Sequence, residues 1–257
     1  MFVSDCVVGR VRVAFTDRHG GFSSGPWSSL NLAMPVTGPV TGSTPASDAG
    51  DDPEAVSANL TRVAETFGVK RADLRLMRQV HGRDVAVIDA AEAAAPPTAD
   101  ALLTRTPGVV LLARAADCVP VALADTERGV AAVVHSGRVG TLAGVVPSAV
   151  EALRRHGAQT LTAWIGPRIC GSCYEVPADV RAEVAAVEPA TWSTTRSGSA
   201  ALDLAAGVRE QLRRADVAVH DLADDGPVCT MESDDLFSYR RQGARSGRLG
   251  VLVQVQP

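Results

Sequence analysis

The chain has 257 residues, 46% of them hydrophobic and 21% charged, the balance of a globular protein able to bury a core without covalent staples. Its net charge of −4 gives no general attraction to nucleic acid or anionic membrane, and no window reaches the roughly 18 apolar residues that a membrane span needs. Five cysteines, an odd number, argue against a secreted disulfide scaffold, and Met1-Phe2-Val3-Ser4-Asp5 shows no basic-then-apolar signal segment. The expectation is a cytoplasmic protein, a monomer or small homo-oligomer. Lys70 is the only lysine; the remaining cations are arginines, suited to two-pronged contacts with phosphate or carboxylate, although a GC-rich genome produces the same bias.

In chain order, alternating valines predict a strand from Val7 to Phe15, followed by a Gly/Ser-rich turn segment from Thr16 to Gly25. Residues 35–50, dominated by Pro, Thr, Gly, Ser and Ala, read as a mobile insertion within the domain. A helix is expected from Pro53 to Phe67, capped by Asp51 or Asp52, with Val56, Leu60, Val63 and Phe67 on one face. Strands follow at 85–88, 109–112, 119–123 and 130–134, apolar enough to be covered on both faces. After them come a helix over 140–155, a strand ending at Trp164-Ile165-Gly166-Pro167, helices near 178–187 and 202–214, and a closing strand over 249–255. Neither an internal repeat nor a dividing linker is visible. The fold class is α/β (α+β), a layered sandwich of mixed sheets flanked by helices, as one domain over residues 1–257.

Three apolar runs meet turns at side chains that can ligate a metal: Gln79-Val80-His81-Gly82, Asp117-Cys118-Val119-Pro120 and His135-Ser136-Gly137-Arg138. Two imidazoles and a thiolate are one ligand short of a closed tetrahedron, the donor count of a catalytic zinc. Their long separations mean that only the fold can unite them. Competing readings remain: satisfied core residues, or Cys118 as a thiol nucleophile with His135 as its base. Cys170-Gly171-Ser172-Cys173 can be half of a zinc knuckle or a redox pair, but a closed zinc site needs a second pair, and Cys6 and Cys229 stand isolated. His19 is a candidate to line the site from its Gly-rich loop, while His156 and His220 lie in polar contexts. For anions the candidates are Arg18 beside Gly20-Gly21, Arg138, and Arg240 in Tyr239-Arg240-Arg241.

These segments resemble the laccase-domain family of purine nucleoside phosphorylases, once described as multicopper polyphenol oxidases. The resemblance covers nearly the whole chain. It rests on Thr16-Asp17-Arg18-His19-Gly20-Gly21-Phe22-Ser23 with Ser29-Leu30-Asn31-Leu32, the three ligand segments, Ala99-Asp100-Ala101-Leu102, Ile165-Gly166-Pro167 with Cys173-Tyr174-Glu175-Val176, and Cys229-Thr230 before Phe237-Ser238-Tyr239-Arg240-Arg241. It implies one catalytic Zn2+ on His81, Cys118 and His135, with copper a less suitable occupant. It further implies phosphorolysis of adenosine, inosine, guanosine and methylthioadenosine to base and ribose-1-phosphate, and a side activity deaminating adenosine. Arg18, Ser29 and Asn31 match the segment expected to line the nucleoside pocket. Asp100 or Glu175 is expected either to supply the acid that protonates the leaving purine or to orient a metal ligand. The chain departs from the family's His-Ala-Gly-Trp-Arg-Gly at His135-Ser136-Gly137-Arg138-Val139-Gly140, where the arginine moves one position earlier and so points in another direction. Alternatives for the same residues are hydrolytic editing of peptidoglycan precursors, copper-dependent phenol oxidation (for which five histidines are few), and a scaffold merely stabilised by metal.

Overall fold

The computed structural model describes residues 1–33, 50–89 and 95–256; the insertion expected over 35–50 lies outside them apart from Gly50. Strands β1 (Phe2–Val8) and β2 (Val11–Thr16) form an antiparallel hairpin with Val8 opposite Val11. The single strand expected from Val7 to Phe15 is thus two strands. Gly9, at φ 55°, supplies the left-handed turn that reverses the chain. Helix α1 (Pro53–Thr66) starts where Asp52 accepts a hydrogen bond from the Glu54 amide at 2.9 Å. Its inner face buries Val56, Leu60 and Val63, with Phe67 just beyond, each contributing about 1.5–3 kcal/mol relative to exposure.

Six short-range strands follow: β3 (Leu74–Arg75), β4 (Val85–Ile88), β5 (Ala101–Thr104), β6 (Val110–Ala115), β7 (Val119–Asp125) and β8 (Val130–Ser136). Helices α2 (Arg138–Ala143) and α3 (Val145–Arg155) occupy the stretch read as one helix from Gly140. Gly144, at φ 79°, takes the left-handed conformation that ends the first and turns the chain into the second. The remaining elements are β9 (Thr162–Ile165), α4 (Ala178–Val187), β10 (Trp192–Thr194), β11 (Ala200–Leu202), α5 (Leu204–Arg214), β12 (Ala218–Asp221), α6 (Tyr239–Gln242) and β13 (Leu249–Val255).

Two mixed sheets carry the fold. One runs β1-β2-β13-β6-β3 and the other β12-β9-β7-β8-β5-β4, with β10-β11 as a small separate pair. Strands β5 to β8 and β13 are buried along their whole length, as their unbroken apolar runs predict. Phe15, Leu111, Ala113, Ala122, Val133 and Trp164 fill the space between the sheets. Helix α1 covers the outer face of the first sheet through Leu60 and Val63 against Leu112 and Leu252. Helices α3 and α5 cover the second through Val146, Leu153 and Val208. The result is the layered α/β sandwich expected. No helix of the described residues is long and apolar enough to cross a membrane.

Candidate metal centre and cleft

Neighbouring strands of the second sheet bring the ligands together. Cys118 immediately precedes β7, and the β7–β8 register sets Pro120 opposite His135. Strand β5 pairs with β8 so that Ala101 faces Val134, which leaves Asp100 beside His135; the His135 amide donates to the Asp100 carbonyl at 2.8 Å. Strand β4 pairs with β5 and carries the His81 loop at its start. One ligating atom each from His81, Cys118 and His135 lies within 4.8 Å of the others, with His81 Nε2 3.9 Å from Cys118 Sγ.

Asp100 organises this cluster. Its fully buried carboxylate faces His135 Nδ1 at 2.9 Å and accepts the amides of Val80, His81 and Gly82 at 3.1, 3.0 and 2.7 Å. Burial alone would raise its pKa, but hydrogen bonds from His135, Gly82 and Val80 outweigh that and hold it below the usual carboxylate value. An ionised Asp100 accepts the Nδ1 proton of His135, leaving Nε2 with its lone pair for a metal. Burial lowers the His135 pKa and keeps that ring neutral. The same three amides fix His81 at φ 59°, unusual for a residue with a Cβ. Asp117, at φ 85°, is held by Thr230 Oγ1 donating to Oδ1 at 2.6 Å and the Arg240 amide donating to Oδ2 at 2.5 Å.

The donor set fits a zinc-class ion. A tetrahedral centre with Zn–S near 2.3 Å and Zn–N near 2.0 Å separates its ligand atoms by about 3.3–3.8 Å, a small contraction from the spacing here. Gly137 leaves the room this needs: a Cβ there would lie 2.7 Å from His81 Cδ2 and 2.9 Å from Cys118 Sγ. Without a cation, burial and the neighbouring Asp117 charge push the Cys118 thiol up to about 12. A thiol at that value is protonated at neutral pH, so the thiolate-nucleophile reading loses support, whereas a bound cation would favour the thiolate.

The cluster opens into a cleft of about 1070 Å3. Arg138, Arg240 and Asn31 line it, although Asn31 spends its amide on Asp51 and on the Ala33 and Arg248 backbone. Arg240 reaches the Glu175 carbonyl at 2.9 Å and lies over the Tyr174 ring. Arg18 and Ser29 are not among the lining residues: Arg18 donates to the Ser28 carbonyl at 2.7 Å and stacks on Phe237, and the Ser29 hydroxyl binds the Gly21 amide. The Glu175 side chain is exposed and also stands outside the lining. Of the two roles expected for Asp100, the geometry supports orienting a ligand, because a buried carboxylate held ionised has no proton to give.

Other cleft residues escaped the sequence reading. Arg114 is 8% exposed; one Nη donates to the Met77 carbonyl at 2.7 Å, while its Nε has no hydrogen-bond partner among the described residues. Burial and the nearby Arg248 charge lower its pKa to about 10. An arginine inside the apolar run of β6 was the available signal. Tyr174 also lines the cleft, its phenol raised above the ordinary value by burial and by Cys118. A second cluster, Cys170, Cys173, Cys229 and Glu232, has its ligating atoms within 4.8 Å of one another; Cys229, isolated in sequence, is therefore a neighbour of the Cys170–Cys173 pair in space.

Comparison with known proteins places the chain. The family described as multi-copper polyphenol oxidoreductase laccase matches residues 12–256. A purine nucleoside phosphorylase of Streptomyces coelicolor is 50% identical, with 93% of each chain covered. One of Streptomyces griseus is 45% identical over 96% of this chain and 95% of its own. Among solved structures, a Neisseria meningitidis protein superposes with a TM-score of 0.81 at 31% identity, covering 100% and 99% of the two chains, and YlmD from Geobacillus stearothermophilus with 0.79 at 29%, covering 96% and 93%. Matched by this family over residues 12–256 and by relatives 45% and 50% identical over most of their length, the chain belongs to the laccase-domain family of multi-copper polyphenol oxidoreductase type.

Proposed function

We propose that the protein is a zinc-dependent purine nucleoside phosphorylase, cleaving adenosine, inosine, guanosine and methylthioadenosine with phosphate and deaminating adenosine as a side activity. The observation that carries this reading is the shared space of the His81–Cys118–His135 cluster and Arg114, a buried cation whose Nε lacks a partner among the described residues. That pairing of an open ligand set with a buried guanidinium, tethered through one nitrogen to the Met77 carbonyl at 2.7 Å, suits an anionic nucleophile.

A zinc ion on His81, Cys118 and His135 would supply the positive charge that activates phosphate or water in this cleft. The chain's own residues do the rest. Arg114 would lend its buried positive charge to a phosphate in the cleft, with Arg248 and Arg138 adding charge along the same lining. Trp27 and Tyr239 line the cleft as aromatic surface suited to a purine. Tyr174 keeps its phenolic proton at neutral pH and can donate it in a hydrogen bond to the departing base. Asp100 holds the His135 tautomer. Arg138 opens α2 and lines the cleft, so the family arginine displaced by Val139 has a substitute within one residue.

Multicopper oxidation fits less well. His19 pairs with Asp235, His156 bonds the Ala152 carbonyl and His220 stacks on Trp164, so His81 and His135 are the histidines gathered at a candidate metal cluster. The test is inosine with and without inorganic phosphate. Hypoxanthine and ribose-1-phosphate forming only when phosphate is present, and vanishing in Cys118→Ala, is the expected result. Base release that ignores phosphate, or persists in Cys118→Ala, overturns it.

A further inference from the structure

The Cys170–Cys173 segment and the Cys229–Glu232 segment are built alike. Each has a ligand-bearing residue at its first and fourth positions, Cys-x-x-Cys and Cys-x-x-Glu. Each is closed by the same turn: the Cys173 amide donates to the Cys170 carbonyl at 3.0 Å, and the Glu232 amide to the Cys229 carbonyl at 3.1 Å. That turn brings positions one and four to the same side, which is how paired knuckles present metal ligands. The two segments are then docked. Arg168 and Cys229 form a parallel bridge, and the Cys170 amide donates across to Cys229 Sγ at 3.4 Å. A backbone N–H aimed at that sulfur suits a thiolate, since it stabilises the negative charge a metal-bound sulfur carries.

Gly171 shows how closely this loop is fitted. A Cβ there would lie 2.7 Å from Ser193 Oγ and 2.8 Å from Asp203 Cβ. Cys229 is buried and its cysteine partners half-buried, while Glu232 reaches in from the exposed side, where Arg196 also holds its carboxylate. We propose that Cys170, Cys173, Cys229 and Glu232 form a second, closed four-ligand site for a zinc-class divalent ion, separate from His81, Cys118 and His135. Three soft sulfurs and one carboxylate in a compact group match zinc better than oxygen-seeking magnesium or calcium, and with four protein ligands the site has no open position for substrate.

Its role is structural and bears on the cleft. Tyr174 directly follows Cys173, and Thr230, which bonds Asp117 beside Cys118, directly follows Cys229. The ion therefore ties together two loops that back the catalytic wall.

The test is metal content of the purified full-length protein, with the first site removed to isolate the second. The two clusters predict two zinc ions per chain in the wild type, one in Cys118→Ala, and none in Cys118→Ala combined with Cys229→Ser. Cobalt loaded into Cys118→Ala should give an intense sulfur-to-metal charge-transfer band with tetrahedral visible transitions. If the double variant does not fold, thiol titration of Cys118→Ala answers instead: three thiols protected by zinc and released by EDTA support the site. A Cys118→Ala protein without zinc, zinc retained when Cys229→Ser is added to Cys118→Ala, or a Cys170–Cys173 or Cys170–Cys229 disulfide found by mass spectrometry in the isolated protein overturns it.

Discussion

Gly137→Ala separates the metal centre from the fold. Gly137 sits at φ −84° and ψ 178°, extended backbone open to any residue, so alanine meets no conformational barrier. The obstacle is steric. The added methyl would lie 2.7 Å from His81 Cδ2 and 2.9 Å from Cys118 Sγ, against an optimal carbon–carbon separation of about 3.5–4.0 Å. The two atoms that must retreat are the ends of candidate metal-ligating side chains rather than backbone, so the overlap is relieved by spreading them apart. Overpacking of this size costs about 1–3 kcal/mol; charged against ion binding, that is a loss of roughly 5- to 150-fold in affinity at about 1.4 kcal/mol per decade. Metal ligand distances tolerate only about 0.2 Å, which favours the upper end. The fold itself loses at most about 1 kcal/mol through the poorer helix cap. Zinc affinity measured by competition with a chromophoric chelator, alongside chelated-protein melting curves, checks both halves. Wild-type zinc affinity in Gly137→Ala would refute the reasoning, because the ion could not then be held by both His81 and Cys118 at this spacing.

Three further outcomes follow from the same geometry. Arg114→Ala should raise KM for phosphate roughly 10- to 150-fold, the worth of a charge-assisted hydrogen bond of about 1.5–3 kcal/mol, with little change in KM for inosine; initial rates at varied phosphate decide it, and an unaltered phosphate KM counts against Arg114 as the anion holder. Asp100→Asn should lower zinc affinity about 10- to 100-fold by loosening His135 and the His81 loop, read by equilibrium dialysis; affinity equal to wild type would remove Asp100 from the centre. Asp221, buried and paired with Arg168 and Arg209, is raised by burial but held below the usual carboxylate pKa by those guanidiniums. A depressed folded pKa means stabilisation that is complete above the unfolded value near 4 and lost as pH falls through the folded one. Asp221→Asn, which strands Arg168, should therefore cost about 3–5 kcal/mol at neutral pH and much less in acid; urea unfolding that shows the same difference at both pH values rejects this.

The sequence carries local periodicity well and tertiary register hardly at all. Helix α1 with its Asp52 cap, β4, α4 and β13 fall where the patterns place them, because amphipathic spacing and continuous apolar runs are properties of neighbouring residues. Errors occurred at glycines that reverse or break the chain: Gly9 turns one expected strand into a hairpin and Gly144 divides one expected helix. A glycine in an apolar run has the same letter whether its φ is positive or negative. The Cys170–Cys173–Cys229–Glu232 cluster was missed because its half-sites are of two kinds. Its fourth ligand is Glu232, and a search for paired cysteines passes over a Cys-x-x-Glu half-site.

Convergence of the first cluster depends on three strand pairings at once. Cys118 enters β7, His135 lies in β8, Asp100 enters β5 and the His81 loop enters β4, four consecutive neighbours in the sheet. The residues mark strand ends in the sequence, but only the pairing of Pro120 with His135 and of Ala101 with Val134 sets those ends level. A slip of one residue in β8 would turn His135 to the opposite face and its neighbour Val134 toward Asp100, leaving a buried carboxylate beside a valine. That arrangement strands a charge in the core, a cost of several kcal/mol, and loses the apolar packing of Val130, Ala132 and Val134 against the helical layer. The candidate metal centre is thus held by the same register that the core enforces: substitutions that loosen β8 packing should degrade ion affinity before they unfold the sheet.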